Sequence, residues 1–344
     1  MQSKFSRVQY PKIKFALLCF GAIASIVILL KAMLFVGEFM RTTGITPQTL
    51  ASLIFGSGTS LKTIQGRTNI VLLGIAGGDH DGADLTDTIL ILSFHPEAKT
   101  LSMISLPRDI WSDTLKDKVN SAYHYGEEKK KGGGIILAKA IISDMVGLPI
   151  DYALVFDFSK FREVISLLGG VSVTIPKAFT DAEFPISGKE NDLCNGDPLL
   201  ACRYEPLHFD AGVQLLNGDT ALKYVRSRHA EGDEGSDFAR SKRQQEVLLA
   251  LKTKIISKKI YLNPSVMSQL FRTFDKATDT DLNIGELLTV GKLFVNIPQE
   301  KIRRISLENE LYSPPSSWYG RYVLLPKESF EELHSYVETA IKGK

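Results

Sequence analysis

The 344-residue chain is short of the residues that usually announce chemistry. It has 3 cysteines and 6 histidines. The histidines are scattered without metal-ligand spacing, and two neighbouring cysteines do not complete a tetrahedral zinc shell. There is no P-loop, no GxGxxG after a strand and no nucleophile elbow, so nucleotide-cradle and Ser-His-Asp readings lapse. The formal net charge is +2, and no global basic field points to nucleic acid. Any anion site must come from local clustering. Asp79-His80-Asp81-Gly82-Ala83-Asp84 looks like a calcium loop. Its glycine is displaced, and Leu90 stands where the bidentate glutamate belongs. Apolar and charged fractions of 44% and 23% are those of a globular protein.

One long hydrophobic run is present. Lys4, Arg7, Lys12 and Lys14 precede an apolar stretch over residues 15–36, broken only by Lys31. As a helix it spans about 33 Å, against a hydrocarbon core of roughly 30 Å. Basic residues in front place residues 1–14 in the cytoplasm as a short tail. Lys31 can snorkel. The run is long for a cleaved signal, and Ala22-Ile23-Ala24 is followed by more apolar residues, so an uncleaved single-pass anchor is expected. The main domain then lies outside the cell membrane. There Cys194 and Cys202 could oxidise to a disulfide worth about 2.6 kcal/mol, or stay as free thiols.

Residues 37–66 read as an extracytoplasmic stalk and linker. Residues 69–74 form a short apolar strand, and a Gly/Asp-rich loop follows over 76–86. Residues 88–94 and 100–106 read as the strands of an antiparallel hairpin. In it Asp87 and Arg108 are nearly equidistant from the turn and should be neighbours at the open end. An exposed ion pair there would be worth only about 0–1 kcal/mol. Helices are expected over 120–126, 135–145 and 159–168, strands over 152–156 and 171–175, and a solvated loop over 127–131. Asn217 can cap a helix running to Val225. The tail carries strands near 302–307 and 322–325 and a final amphipathic helix over 330–341. This alternation predicts an α/β fold, a central mixed sheet flanked by helices.

A helix from Asp237 to about Ile256 is the most informative segment. At about 100° per residue, Asp237, Arg240 and Gln244 share one face, which Val247, Leu248, Leu251 and Ile255 continue. Arg243 is expected at the rim of that face. Charges on an inward stripe need partners or a ligand, and a helix N-terminus favours anions. Upstream, Arg226 and Arg228 are spaced so that the helix should have ended and both should reach one site. Arginine forks grip phosphate oxygens and never deprotonate. Four or five of them exceed what a single carboxylate needs, so a pyrophosphate is a natural ligand. Asp87 would then hold Mg²⁺, since a metal bridging phosphates takes only one or two carboxylates. The plain alternative is a structural Arg/Asp network.

Taken in order, these segments resemble the LytR-CpsA-Psr family. The matching pieces are Asn69-Ile70-Val71-Leu72-Leu73-Gly74, Thr86-Asp87-Thr88, Ser105-Leu106-Pro107-Arg108-Asp109 and Lys118-Val119-Asn120-Ser121-Ala122-Tyr123. Asp151-Tyr152, Phe161 and Leu168-Gly169-Gly170-Val171 follow, then Leu216-Asn217-Gly218, Tyr224-Val225-Arg226-Ser227-Arg228, and Asp237, Arg240, Arg243, Gln244 and Gln245. The resemblance implies a catalytic domain over residues 67–257, with residues 258–344 packing on it. It implies a twisted sheet with a hydrophobic tunnel for a polyprenyl chain and a pyrophosphate at the tunnel mouth. Arg108, Arg226, Arg228, Arg240, Gln244 and Lys118 would bind that pyrophosphate.

The implied activity is transfer of a glycopolymer from a polyprenyl-pyrophosphate carrier to a peptidoglycan hydroxyl, a phosphoryl transfer. Arg108 and Arg240 would stabilise charge, and Asp237 would orient the arginines or accept the acceptor's proton. Mg²⁺ or Mn²⁺ would sit on Asp87. The family's other metal-binding aspartate is Ala76 here, so Asp79 or Asp81 would substitute. Leu85 stands where the family commonly has an arginine. Hydrolysis of the same lipid, or lipid binding by a non-enzymatic regulator, are the competing readings. The short cytoplasmic tail holds no DNA-binding motif for the latter.

Overall fold

The computed structural model describes residues 10–56, 58–78, 82–186, 188, 189, 191–257 and 264–343. The chain divides into two units, Met1–Ala51 and Ser52–Lys344. The first is built on helix α1 (Tyr10–Thr43). Within it Phe20–Glu38, with mean hydropathy 2.3, is the one helical stretch among the described residues long and apolar enough to cross a membrane.

Later elements, in chain order, are α2 (Pro47–Phe55), β1 (Thr68–Ile75), β2 (Thr86–His95), β3 (Thr100–Ser105), β4 (Trp111–Ser112), β5 (Asp117–Lys118), α3 (Ala122–Lys129), α4 (Gly134–Val146), β6 (Tyr152–Asp157), α5 (Phe158–Leu167) and β7 (Val171–Ile175). They continue with β8 (Phe179–Pro185), β9 (Tyr204–Phe209), β10 (Gly212–Leu216), α6 (Gly218–Arg226), α7 (Asp237–Ile255), α8 (Pro264–Ala277), β11 (Thr278–Thr280), α9 (Ile284–Asn296), β12 (Ile302–Ser306), β13 (Leu311–Tyr312), β14 (Leu325–Pro326) and α10 (Phe330–Lys342).

Six strands make the central sheet in the order β11-β6-β1-β2-β3-β12. The β1–β6 and β3–β12 pairs are parallel and the others antiparallel, so the sheet is mixed as expected. Alternate residues point to opposite faces. Val71, Leu73, Ile89, Ile91 and Ile104 pack against α4 and α10. Ile70, Leu90, Leu92, Phe94 and Met103 form the other face, with Leu249 of α7 and Leu293 and Phe294 of α9. Burial on both faces is why β1 and β2 read as nearly unbroken apolar runs. A third cluster joins α5, α6, β7 and α7 through Ile165, Val173, Tyr224 and Val247.

The end of the β1–β2 pair positions the site. Register runs regularly from Thr68 opposite Phe94 to Gly74 opposite Thr88, and then Ile75 pairs with Thr86. Asp87 is therefore the extra residue of a bulge, a device that re-aims a side chain at the end of a ladder. Gly74 makes this possible, because a Cβ there would lie 2.5 Å from the Phe158 ring and 3.0 Å from Thr88 Cβ.

Several expectations need correction. The helix over α3 continues to Lys129, so the solvated loop begins only at Lys130. Glu127 draws the chain inward by accepting from the Gly132 and Gly134 amides at 3.0 and 2.9 Å. The β8–β9 hairpin and helices α8 and α9 were not anticipated. The tail strand near 322–325 is reduced to β14 plus a bridge between Ile110 and Leu324. Cys194 and Cys202 form a disulfide that closes the segment between β8 and β9.

Candidate functional site

Three ladder ends meet beside the bulge. Arg108, just past β3, donates to Asp87 through Nη1, the neighbourhood that hairpin geometry predicts. The next residue, Asp109, is 5% exposed. It accepts from Lys118 Nζ at 2.5 Å and lies 3.5 Å from Arg108 Nε. From the first turn of α7, capped by Ser236, Arg240 reaches Asp237 at 2.8 Å and the Asp87 carbonyl at 3.3 Å. Arg228 adds a third guanidinium near Arg240.

Electrostatics separate these groups. Burial lowers the Arg240 pKa below its ordinary value, repulsion from Arg108 and Arg228 adds to that, and Asp237 opposes it. Burial acts the same way on Arg108, but Asp87 and Asp109 outweigh it and hold the pKa above the ordinary value. Both remain cations at any physiological pH. The Nε atoms of Arg108 and Arg240 are buried and donate to nothing among the described residues. An unsatisfied buried donor costs about 1–3 kcal/mol, and more when charged. Two such donors on adjacent arginines form a cradle that an anion completes.

The balance of charge differs from the sequence expectation. Arg108, Lys118, Arg228 and Arg240 face not one carboxylate but three, Asp87, Asp109 and Asp237. The surplus of positive charge is correspondingly smaller than four or five arginines against a single carboxylate would give.

The turn carrying Arg228 is fastened from below. Asp181, fully buried, accepts from Ser227 Oγ at 2.7 Å and from the amides of Arg228 and His229 at 3.1 and 3.2 Å. Arg243, 2% exposed, donates to the carbonyls of Tyr224, Ser227 and Glu234. Arg243 was expected at a rim and is instead inside. The stretch Phe179–Pro185 forms a strand under α6 and α7, which encloses the helix on a second side; Arg243 stacks 4.9 Å over the Phe179 ring.

The C-terminal segment completes the site. The Leu324 amide donates to the Asp109 carbonyl at 2.9 Å, and the Trp111 amide to the Leu324 carbonyl at 3.0 Å. Tyr322 thereby stands over Lys118, whose Nζ is 5.9 Å from the ring centroid. Burial raises the Tyr322 pKa, and Asp109 and Asp237 raise it further.

The description of the LytR_cpsA_psr family matches residues 52–336. The chain belongs to that family. The polyisoprenyl-teichoic acid–peptidoglycan teichoic acid transferase TagV of Bacillus subtilis (strain 168) is 27% identical over 241 residues, 68% of this chain and 54% of its own length. The chain thus spans about half of that relative. A crystal structure of B. subtilis TagV superposes with a TM-score of 0.57 at 23% identity, covering 82% of this chain and 100% of that one. A structure described as TagT bound to LIIa-WTA gives 0.54 at 24% identity, covering 82% and 95%. These two likenesses concern the fold.

Within this LytR_cpsA_psr member, the site residues expected from sequence are only partly together. Asp87, Arg108, Lys118, Arg228, Asp237 and Arg240 converge. Arg226, the last residue of α6, is exposed and lies about 200° around that helix from buried Tyr224. Gln244 is half-buried and donates to the Val225 carbonyl at 3.4 Å, inside the helix packing. Asp79 and Asp81 lie outside the described residues. Asp84, from the same loop, is held by His124 at 2.9 Å. Sequence reasoning missed Asp109, Asp181 and Tyr322. Asp109 was legible as a second charge beside Arg108. Asp181 and Tyr322 are remote in sequence, and only the fold brings them in.

Proposed function

We propose that the protein is a membrane-anchored transferase that moves a glycopolymer from a polyprenyl-pyrophosphate carrier to a peptidoglycan hydroxyl. The observation that carries this reading is the pair of buried, unsatisfied Nε donors on Arg108 and Arg240. Family membership and the naming of TagV as a teichoic acid transferase support it.

In this reading α1 crosses the membrane, and the domain lies outside, next to the lipid carrier. The prenyl chain follows the sheet face covered by α7 and α9, where Leu72, Leu248, Leu287 and Leu293 are half-buried. The pyrophosphate lies among Arg108, Arg228 and Arg240. The acceptor oxygen bonds to the phosphorus that carries the glycan, and the bond to the prenyl phosphate breaks. Products are a glycan phosphodiester on peptidoglycan and prenyl phosphate, with one proton released. Asp237, a quarter exposed and beside the cradle, takes that proton. The arginines hold the phosphate oxygens before and during transfer, and such preorganised charge dominates catalysis of phosphoryl transfer.

A divalent metal suits the same place. Asp87 Oδ1 accepts from Arg108, and Oδ2 accepts from nothing among the described residues, so it could serve Mg²⁺, which in phosphate sites takes only one or two carboxylates. Mg²⁺ or Mn²⁺ bound there would neutralise phosphate charge.

The test is an incubation of the full chain in detergent with Mg²⁺, lipid-linked oligosaccharide and a peptidoglycan oligomer, read by mass. Glycan joined to peptidoglycan through a phosphodiester, absent in Arg108→Ala and reduced by EDTA, is the expected result. Free glycan phosphate would make the protein a hydrolase, and an unconsumed lipid would remove the enzymatic reading.

A further inference from the structure

Trp111, Tyr319 and Tyr322 gather beside the arginine cradle, and Trp318, the chain's other tryptophan, is the neighbour of Tyr319 in sequence. Trp111 opens β4 immediately after the Arg108–Asp109 loop, and its ring meets Tyr319 edge-on at 4.9 Å. Trp318, 69% exposed, precedes Tyr319, and Tyr322, 49% exposed, follows in the same turn. An exposed cluster of large aromatics is costly to leave in water and marks a contact surface. Rigid aromatic rings with a polar edge lose little entropy on binding. They suit a ligand that has one apolar C–H face and hydroxyls at its edge, which is a pyranose.

The patch is continuous with the cradle through one side chain. Lys118 binds buried Asp109 at 2.5 Å and also lies against the Tyr322 ring. Direction decides which sugar lies there. In phosphoryl transfer the attacking and leaving oxygens are roughly in line. In the transfer reading the prenyl chain follows the sheet face of α7 and α9, where Leu72, Leu248 and Leu293 are half-buried, so the prenyl phosphate leaves toward that face. Trp111 and Tyr322 hang from Ile110 and Leu324, which belong to the core on the opposite face. The attacking hydroxyl therefore arrives from the aromatic side.

We infer that Trp111, Trp318, Tyr319 and Tyr322 form a stacking platform for the acceptor glycan strand, presenting a sugar hydroxyl to the cradle. This inference rests on the transfer reading above for the direction of attack. The two remain separable, because glycan binding is measurable with no donor and no reaction.

Since Trp111 and Trp318 are the chain's two tryptophans, intrinsic fluorescence reports on the platform directly. The full chain in detergent is titrated with soluble peptidoglycan glycan-strand oligomers, without lipid. A saturable change in tryptophan emission is expected. Tyr322→Ala weakens it roughly fivefold to tenfold and Tyr322→Phe by less than about twofold, as loss of stacking predicts. Trp318→Ala, at an exposed position, weakens it similarly, and its melting temperature matches the wild type. No emission change, or wild-type affinity in both Tyr322→Ala and Trp318→Ala, overturns the platform. A response to lipid-linked donor glycan but not to acceptor overturns it as an acceptor site. Binding without transfer in the mass assay would refute the reaction and leave the platform. Transfer without a glycan response would do the reverse.

Discussion

Arg240 and Arg243 sit one turn apart on the same helix, and both are buried. Burial lowers the pKa of each. Their surroundings are opposite. Arg243 gives its N–H groups to three carbonyls and Glu234, each an acceptor the chain supplies. Arg240 faces two other arginines, and its Nε has no acceptor among the described residues. All three nitrogens of the Arg243 guanidinium find acceptors in the fold, whereas Arg240 pairs with Asp237 and the Asp87 carbonyl and keeps its Nε without an acceptor among the described residues. Burial of an arginine therefore does not distinguish structure from function, whereas its complement of acceptors does.

Substitution should divide the pair. Arg240→Ala is expected to lower the transfer rate by about 10²–10³-fold, the usual loss for one preorganised charge donor, with a smaller loss of melting temperature than Arg243→Ala. Parallel kinetics and thermal melts check this. Equal losses of stability in Arg240→Ala and Arg243→Ala would erase the distinction. Arg243→Ala should cost about 3 kcal/mol of folding stability, since it strands buried carbonyls and Glu234. Urea titration measures it.

The fold was legible to the extent that it depends on local pattern. The apolar runs at 69–74 and 88–94 marked strands, and Asn217 caps α6 as its residue type suggests. The Asp87–Arg108 pair followed from hairpin arithmetic. Helix periodicity placed Arg240 inward but left Arg243 at a rim. A hundred-degree wheel describes one buried face, and α7 is enclosed on several sides, with Arg243, Gln245, Leu249 and Lys252 all buried. The polar, alternating pattern of β8 and β9 hid a hairpin whose one buried carboxylate, Asp181, organises the Arg228 turn. Nothing local in the sequence distinguishes Asp181 from a surface aspartate.

Asp181 sharpens the comparison as an intermediate case, structural in position but serving Arg228. Asp181→Asn should cost about 2 kcal/mol of stability. It should also reduce transfer by roughly tenfold, the equivalent of about 1.4 kcal/mol at the transition state. A stability loss with unchanged kinetics would make Asp181 purely structural. The disulfide belongs wholly to the structural side. Replacing Cys194 and Cys202 by serine should lower stability by at most about 2.6 kcal/mol and leave the turnover of the folded protein unchanged. A turnover defect would tie that loop to the site.

In the proposed function Arg108 and Arg240 hold the pyrophosphate of the lipid carrier. Calorimetric titration of the full chain with a polyprenyl pyrophosphate in Mg²⁺ tests it most directly, comparing wild type, Arg240→Ala and Arg243→Lys at a temperature where all are folded. Arg240→Ala should weaken binding by at least about tenfold, while Arg243→Lys should bind like the wild type. Undiminished affinity in a folded Arg240→Ala protein would contradict it.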